Sequence, residues 1–176
     1  MKIITKIAFV AAAITLPFIS SADVVSSSEQ GFQIKIEQPY EGTANNGYQR
    51  FVNDINQWWL DDHTWFGDAK NLSIEATAGG CFCEIDGKKQ ALHMQVAYVE
   101  PGKALRLVGG LGPLQSLGMT GTMTISFSDG KVKLDYIVGG YPTTDFTQLA
   151  PIVDGVLQQQ LASFAGLKQA SNEASN

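Results

Sequence analysis

The stretch MTGTMTISFSDGKVKLDYIVGG, residues 119–140, has the pattern of two strands joined by a tight turn. Asp129-Gly130 is a dipeptide that often closes a two-residue β-hairpin loop, usually of type I′. With that loop, apolar residues of one strand face apolar residues of the other, and polar residues face polar ones. The predicted pairs are Phe127 with Val132, Ile125 with Leu134, Met123 with Tyr136, Ser126 with Lys133 and Thr124 with Asp135. A slip of one residue would destroy this match, so the register is well specified.

Four more segments alternate apolar and polar residues in the same way, which predicts further strands. These segments are GFQIKIE (31–37), NLSIEAT (71–77), ALHMQVAYV (91–99) and KALRLVGG (103–110). A second Asp-Gly pair, Asp86-Gly87, ends the segment CFCEIDG and predicts a second hairpin. Because the connections are short, neighbouring strands are expected to be antiparallel.

The second hairpin has two candidate registers. A two-residue loop keeps the apolar residues together, and we favour it for that reason. One face then carries Cys81, Cys83, Ile85, Leu92, Met94 and Val96. The opposite face carries Phe82, Glu84, His93 and Gln95. A three-residue loop would instead place His93 with the two cysteines.

The C-terminal segment changes to a helical period. In DFTQLAPIVDGVLQQQLASFAGL (145–167) the apolar stripe is Phe146, Leu149, Val153, Val156, Leu157, Leu161 and Phe164. Any of Thr143, Thr144 and Asp145 can cap this helix. Pro151 is expected to bend it or to mark its first turn. Gly166 is a suitable end.

Residues 43–60 show a weaker helical pattern. The order of elements is therefore a strand, one or two short helices, about six more strands and one long helix. An antiparallel sheet with one apolar face needs a covering layer, and the long amphipathic helix can supply it. The predicted fold class is a two-layer α+β domain, with a curved antiparallel sheet of about six to seven strands.

The first 22 residues have the layout of a secretory signal peptide. Lys2 and Lys6 precede an apolar run over 7–20, and small residues stand before a cut between Ala22 and Asp23. That run is too short to span a bilayer comfortably. We expect a mature protein that is periplasmic or secreted and has no transmembrane anchor after cleavage.

The mature chain of about 154 residues fits a single domain. We predict a flexible N-terminus over 23–30, the domain over 31–168 and a flexible tail over 169–176. Without the two lysines of the signal peptide, 10 basic residues accompany 17 acidic ones, a formal charge of −7. This balance argues against nucleic acid as a partner, since binding it needs basic patches. The oligomeric state is left open.

Several stretches resemble the START-like superfamily, also called SRPBCC or helix-grip proteins, and more narrowly its bacterial polyketide-cyclase-like or Hsp-ATPase-activator-homologue-like branch. The resemblance is carried by INQWWLDDHTWFGDA (55–69), AGGCFCE (78–84), HMQVAYVEPGKALRLVGGLGPLQ (93–115) and LAPIVDGVLQQQL (149–161). It implies a sheet wrapped around the long helix, with a cavity between them. Members of this superfamily bind apolar or amphipathic small molecules, cyclise polyketides or assist chaperones.

The stretch 55–69 contains all three tryptophans and one of the two histidines. In a helix-grip layout it closes one end of the cavity. It is a packed corner, a ligand-cavity wall or, through His63, part of an active site. The predicted ligand-binding residues are Trp59, His63, Trp65, Met123, Ile125, Leu134, Val153 and Leu157. The glycine-rich stretch 109–118 is interpreted as a mobile loop at the cavity mouth.

Glu84 and His93 are the best acid/base pair in the chain, because both fall on one face of one predicted hairpin. The alternative is a polar pair on the solvent side of the sheet. Cys81 and Cys83 point the same way in a strand, with Cα atoms roughly 6.6 Å apart. That spacing is at the outer edge of disulfide reach. The alternatives are free thiols, a disulfide, or a metal site that also uses His93.

Three functions are compatible with these features. The first is an exported START-like domain that binds an apolar or amphipathic, lipid-like small molecule in its cavity. The second is a polyketide cyclase-like or dehydratase-like enzyme that uses Glu84, His93 or His63 as acid or base. The third is a chaperone-type protein-interaction module. No cofactor is expected, and the sequence does not separate the first function from the second.

Overall fold

The computed structural model describes residues 21–140 and 146–167 of the chain. The strands are β1 (Ser21–Ser28), β2 (Gly31–Pro39), β3 (Leu72–Ile74), β4 (Cys81–Asp86), β5 (Lys89–Glu100), β6 (Ala104–Val108), β7 (Met119–Ser128) and β8 (Lys131–Gly140). The helices are α1 (Ala44–Asn53), α2 (Ile55–Trp58) and α3 (Phe146–Gly166), and short 3-10 turns cover Asp61–His63, Ala69–Asn71 and Gly112–Gln115. The predicted tail over 169–176, the capping residues 143–145 and nearly all of the predicted signal peptide lie outside the described residues.

One antiparallel sheet of eight strands forms the body of the protein, in the order β1-β2-β8-β7-β6-β5-β4-β3. After β2 the chain crosses to the opposite edge of the sheet through α1 and α2 and then returns strand by strand. The predicted α+β class, with its antiparallel sheet and long C-terminal helix, is confirmed. Among the described residues, no helix is long and apolar enough to cross a membrane.

The N-terminal edge differs from the prediction. The segment 23–30 was predicted to be flexible, but β1 pairs along β2 from Ser21 opposite Glu37 to Ser28 opposite Gly31. The segment was misjudged because its three serines and two acids resemble a linker, whereas an edge strand needs only backbone hydrogen bonds on one side. This strand raises the strand count to eight.

The hairpin of β7 and β8 has the predicted register at every pair, from Phe127 opposite Val132 to Met123 opposite Tyr136. Its turn is not type I′, because only Gly130 has a positive φ, of 73°. The Asp129 carboxylate instead accepts the Ala44 N–H at 2.8 Å, at the start of α1. The turn therefore also caps the first turn of α1.

The observed register of the hairpin of β4 and β5 differs from the favoured one. Asp86 pairs with Lys89, so the loop is Gly87-Lys88, and Cys83 pairs with Leu92. The pairing then shifts, because Phe82 pairs with Met94, and His93 becomes the extra residue of a β-bulge. The bulge inverts the side-chain alternation beyond it.

This inversion decides which residues face the interior. The cysteines share the outer face with the exposed Leu92, not with Met94 and Val96 as predicted. The residues buried on the inner face are Phe82, Glu84, His93, Met94 and Val96. A solvent-side location for Glu84 and His93 is therefore wrong.

Helix α3 packs against β1 and β2 across the inner face of the sheet. Leu157, Leu161 and Phe164 are buried, while Val153 is only partly buried. Pro151 lies inside the helix rather than in its first turn, and Gly166 is its last residue. Arg50 of α1 donates to the Leu167 carbonyl just beyond the helix, where the helix dipole favours a cation.

Candidate functional site

Aromatic side chains fill the centre of the space between α3 and the sheet. Phe164 lies with its ring centroid 5.6 Å from those of Phe51 and Trp58, and Phe51 lies 5.6 Å from Phe127. The predicted wall residues Met123, Ile125 and Leu134 are buried in this core and are not among the residues that line the cavity described below. The open space is displaced toward the first half of α3 because the centre is occupied.

A cavity of about 310 Å³ lies beside this aromatic core. Its walls come from α3, from the segment after α2, from the loop before β7 and from His93 of β5. The lining residues are Trp59, Asp62, His63, Thr64, Trp65, His93, Leu111, Gly112, Pro113, Leu114, Leu117, Leu149, Ile152, Val153, Val156 and Leu157. Five of the predicted ligand-binding residues are among them: Trp59, His63, Trp65, Val153 and Leu157.

The three tryptophans have three different environments. Trp58 is buried in the aromatic core, 4.8 Å from the Phe51 ring. Trp59 lines the cavity, and its indole N–H donates to the His63 carbonyl at 3.0 Å. Trp65 also lines the cavity but is 48% exposed. The stretch 55–69 is thus a packed corner at one end and a cavity wall at the other.

Glutamine side chains of α3 hold this stretch in place. The Gln160 side-chain oxygen accepts the Leu60 N–H at 2.8 Å, and Gln160 is buried. His63 Nε2 lies 3.4 Å from Gln159 Oε1. Burying an amide side chain costs free energy unless it is hydrogen bonded, so the bond to Leu60 specifies where the segment docks.

Glu84 and His93 form a buried pair at the inner end of the cavity. His93 Nε2 lies 3.0 Å from Glu84 Oε2, and the exposed fractions are 2% for His93 and 0% for Glu84. The carboxylate also accepts the backbone N–H groups of Trp65 at 2.8 Å and Phe66 at 2.7 Å. One carboxylate therefore positions both the His93 ring and the backbone of the segment that carries the exposed Trp65.

The imidazole of His93 is fixed from a second side. It stacks on the Phe82 ring with centroids 4.8 Å apart and an interplanar angle of 25°. Its other nitrogen, Nδ1, is buried and has no hydrogen-bond partner within the described part of the chain. Burial lowers the pKa of His93, and its hydrogen bond to Glu84 opposes this only in part. The neutral ring is therefore the favoured form near neutral pH.

The loop before β7 closes the remaining side of the cavity. The Tyr136 hydroxyl accepts the Leu111 N–H at 3.1 Å, and burial raises the pKa of Tyr136 to about 12. Gln115 donates to the carbonyls of Leu92 and His93 at 2.6 and 2.9 Å. These bonds tie the glycine-rich stretch to the sheet. A second, more open depression of about 420 Å³ is also lined by His93 and by residues of this loop.

Cys81 and Cys83 are joined by a disulfide on the outer face of β4. Their Cα atoms are 5.4 Å apart, within the range that a disulfide spans. The register shift between Phe82 and Cys83 departs from regular strand spacing at this point. Because both sulfurs are bonded, the alternatives of free thiols and of a metal site with His93 are wrong. No cluster of metal-ligating side chains is found among the described residues.

No family model matches the chain, and no curated protein matches it. Several solved structures do match. An uncharacterised protein from Rhizobium leguminosarum is 14% identical, with a TM-score of 0.53 over 83% of this chain and 97% of that one. Ms6760 from Mycobacterium smegmatis is 11% identical, with a TM-score of 0.52 over 85% and 99%. CalU16 from Micromonospora echinospora is 14% identical, with a TM-score of 0.50 over 85% and 83%.

The protein has the helix-grip fold. Identities this low establish the architecture alone, because one fold carries many functions. In this helix-grip protein aromatic side chains fill the centre between helix and sheet, and the cavity of about 310 Å³ lies to one side. Function therefore has to be argued from the residues around that cavity.

Two functional features were missed in the sequence. Gln160 falls on the apolar stripe of α3, between Leu157 and Leu161, and a polar residue in such a stripe signals a buried hydrogen bond. Gln115 and Tyr136, which fix the loop, carry no comparable signal, because their partners are backbone groups distant in sequence.

The lowered pKa of His93 predicts a specific dependence of stability on pH. An unfolded histidine takes up a proton near pH 6.5, whereas burial lowers the pKa of folded His93, which therefore stays neutral to a lower pH. Stability is thus fully present above the unfolded pKa and is lost as pH falls through the folded pKa. Urea melts should show a larger loss between about pH 7.5 and pH 5 for wild type than for His93→Gln. Equal losses in the two proteins would contradict this expectation.

Proposed function

We propose that the protein binds an apolar or amphipathic small molecule in the cavity beside α3. The observation that carries this proposal is the composition of the wall, which is mostly leucine, valine, isoleucine, proline and tryptophan with a few polar groups. Small-molecule sites have this composition, and the volume is at the lower end of their usual range. A compact ligand is therefore favoured over a long acyl chain.

The entrance supports the same proposal. Trp65 is 48% exposed and Ile152 is 63% exposed, and both line the cavity. Large apolar side chains at the mouth of an apolar cavity leave water in contact with surface that a ligand would cover. At roughly 25 cal/mol per Å² of apolar surface, covering these two side chains is a substantial part of a binding free energy.

Tryptophan fluorescence tests the proposal directly, because Trp59 and Trp65 line the cavity. The neutral probe N-phenyl-1-naphthylamine should quench Trp emission saturably, with one probe per chain. Trp65→Ala should weaken this binding by about five- to ten-fold and change the free energy of unfolding by less than about 1 kcal/mol. The small effect on folding is expected because Trp65 is half exposed and its backbone N–H bond to Glu84 survives the substitution.

A matched control is Tyr98→Ala, which removes another exposed aromatic from the outer part of β5. It should leave probe affinity unchanged. If wild type shows no saturable binding of neutral apolar probes, or Trp65→Ala costs stability without altering affinity, the cavity is only a packing defect.

We further propose that the protein acts after export. The support is the basic start, the apolar run and the small residues before Asp23. Six residues of β1 remain after this cut, so the edge of the sheet is retained. N-terminal sequencing of protein from the periplasmic or secreted fraction of an expressing bacterium should begin at Asp23. A chain that retains Met1 in that fraction would rule this cut out.

Acid/base catalysis on the bound molecule is the second candidate, as expected of a cyclase or dehydratase. The observation that favours it is the 3.0 Å contact of Glu84 and His93 at the cavity. His63 lies at the cavity mouth and is partly exposed, so it is less suited to acid/base catalysis than the buried pair of Glu84 and His93. Mass spectrometry of a polyketide incubated with the protein should show loss of water if this candidate is right. His93→Phe should abolish that conversion.

A further inference from the structure

The charges around the cavity restrict its ligand. Among the described residues, the lining contains one carboxylate, Asp62, two histidines and no lysine or arginine. An anionic ligand such as a fatty acid would have no permanent cation to pair with. Burying an unpaired carboxylate is costly, so the cavity suits a neutral molecule.

The hydrogen bonds of Glu84 determine which nitrogen of His93 carries the proton. Its Oε2 accepts the Trp65 N–H and its Oε1 accepts the Phe66 N–H, and backbone N–H groups can only donate. A carboxylate surrounded by donors accepts the third bond as well. His93 therefore donates from Nε2, and in the neutral ring Nδ1 carries the lone pair.

That lone pair has no hydrogen-bond partner among the described residues. Nδ1 is buried, and no described protein group donates to it. Gln38 Oε1 and Asp154 Oδ1 are also buried acceptors without a partner among the described residues, but of these three residues only His93 lines the cavity. The ring cannot easily turn away, because Glu84 and the stacked Phe82 hold it.

We propose that His93 Nδ1 accepts a hydrogen bond from a hydroxyl or N–H group of the ligand, so that the cavity selects a neutral, compact apolar molecule bearing one such donor. This inference rests on the proposed binding function and specifies its ligand class. Glu84 acts as a positioning residue, since it fixes the tautomer of His93 without reaching the ligand. The lowered pKa of His93 is consistent with an acceptor, because the protonated ring has no lone pair.

The test is a matched pair of ligands, 2-naphthol and 2-methoxynaphthalene, measured by isothermal titration calorimetry at pH 7.5. The two share one aromatic body, but only the first can donate. We expect wild type to bind 2-naphthol about ten-fold more tightly, the effect of one hydrogen bond of roughly 1.4 kcal/mol. In His93→Phe this preference should vanish. Leu92→Phe, the neighbouring outward position, should retain it.

A second measurement does not depend on the folding of any variant. In wild-type protein labelled with ¹⁵N-histidine, free His93 should show a protonated Nε2 and an unprotonated Nδ1. Addition of 2-naphthol should shift the Nδ1 resonance, and addition of 2-methoxynaphthalene should not.

The outcomes separate the two proposals. If both ligands bind with equal affinity and neither shifts the Nδ1 resonance selectively, the proposed hydrogen bond from the ligand to His93 is overturned, while binding in the cavity stands. If neither ligand binds to wild type, both the proposed binding function and the proposed hydrogen bond to His93 are overturned.

Discussion

Glu84→Gln is expected to lower the free energy of unfolding by about 3–5 kcal/mol, because three hydrogen bonds to a buried charged carboxylate are weakened or lost. The carboxylate accepts three hydrogen bonds, and glutamine can accept fewer because its amide nitrogen is a donor. That nitrogen would face Trp65 N–H, Phe66 N–H or His93 Nε2. At least one donor would be left unsatisfied in a fully buried site.

A matched control for this substitution is Glu37→Gln on the outer face of the sheet. Glu37 pairs with Lys131 at 3.0 Å and Lys133 at 2.6 Å, but its side chain is 42% exposed. Surface ion pairs contribute little, so Glu37→Gln should change the free energy of unfolding far less than Glu84→Gln does. Urea denaturation of the two variants compares them directly. Equal, small effects would mean that Glu84 is hydrated in solution.

The second large effect is expected from Phe164→Ala, which should cost about 3–5 kcal/mol. Phe164 is fully buried at the C-terminal end of α3. Its ring contacts four other aromatic rings and the Arg50 guanidinium. The four aromatic partners are Tyr40, Phe51, Trp58 and Phe127. Truncation leaves a cavity among rigid rings that cannot easily close it.

Ile152→Ala on the same helix is the control, because this side chain is mostly exposed. It should change the free energy of unfolding by less than about 0.5 kcal/mol. Thermal or urea melts measure both variants. A cost for Phe164→Ala below about 1 kcal/mol would place the end of α3 outside the core.

The parts of the fold that could be predicted are those in which apolar residues recur at the regular spacing of a strand or a helix. In β7 and β8 every inward residue is apolar, so Ile125 opposite Leu134 follows directly from the Asp129-Gly130 loop. The apolar stripe of α3 was equally readable, from Leu157 to Phe164. In β7 and β8 this pattern holds without interruption, and in α3 it holds apart from the buried polar residues Asp154 and Gln160.

The site was less predictable because one residue breaks that rule. The bulge at His93 moves Met94 and Val96 to the inner face, and the sequence of residues 89–96 does not predict it. Phe82 was the better indicator. Phe82 and Glu84 are two residues apart in one strand and therefore share a face, and the apolar Phe82 marks that face as the inner one. Bulges are stabilised by pairing across strands, which a single strand's pattern does not record.

The location of the cavity was also beyond sequence patterning. Met123, Ile125 and Leu134 were expected to line it, because the centre of a helix-grip sheet faces the helix. Whether that centre is filled depends on the volumes of side chains from distant segments, here Phe51, Trp58, Phe127 and Phe164. Only the three-dimensional packing shows that the space remains beside α3.

The most direct test of the account is to fill the cavity and ask whether binding stops. Val156 lies on α3 at the cavity wall and is only partly buried. Val156→Trp should remain folded, as judged by its urea melt, because the larger side chain has the space of about 310 Å³ to enter. N-phenyl-1-naphthylamine should bind wild type with one probe per chain and bind Val156→Trp at least about ten-fold more weakly. Undiminished binding by Val156→Trp, or no saturable binding by wild type, would contradict the assignment of this cavity as the ligand site.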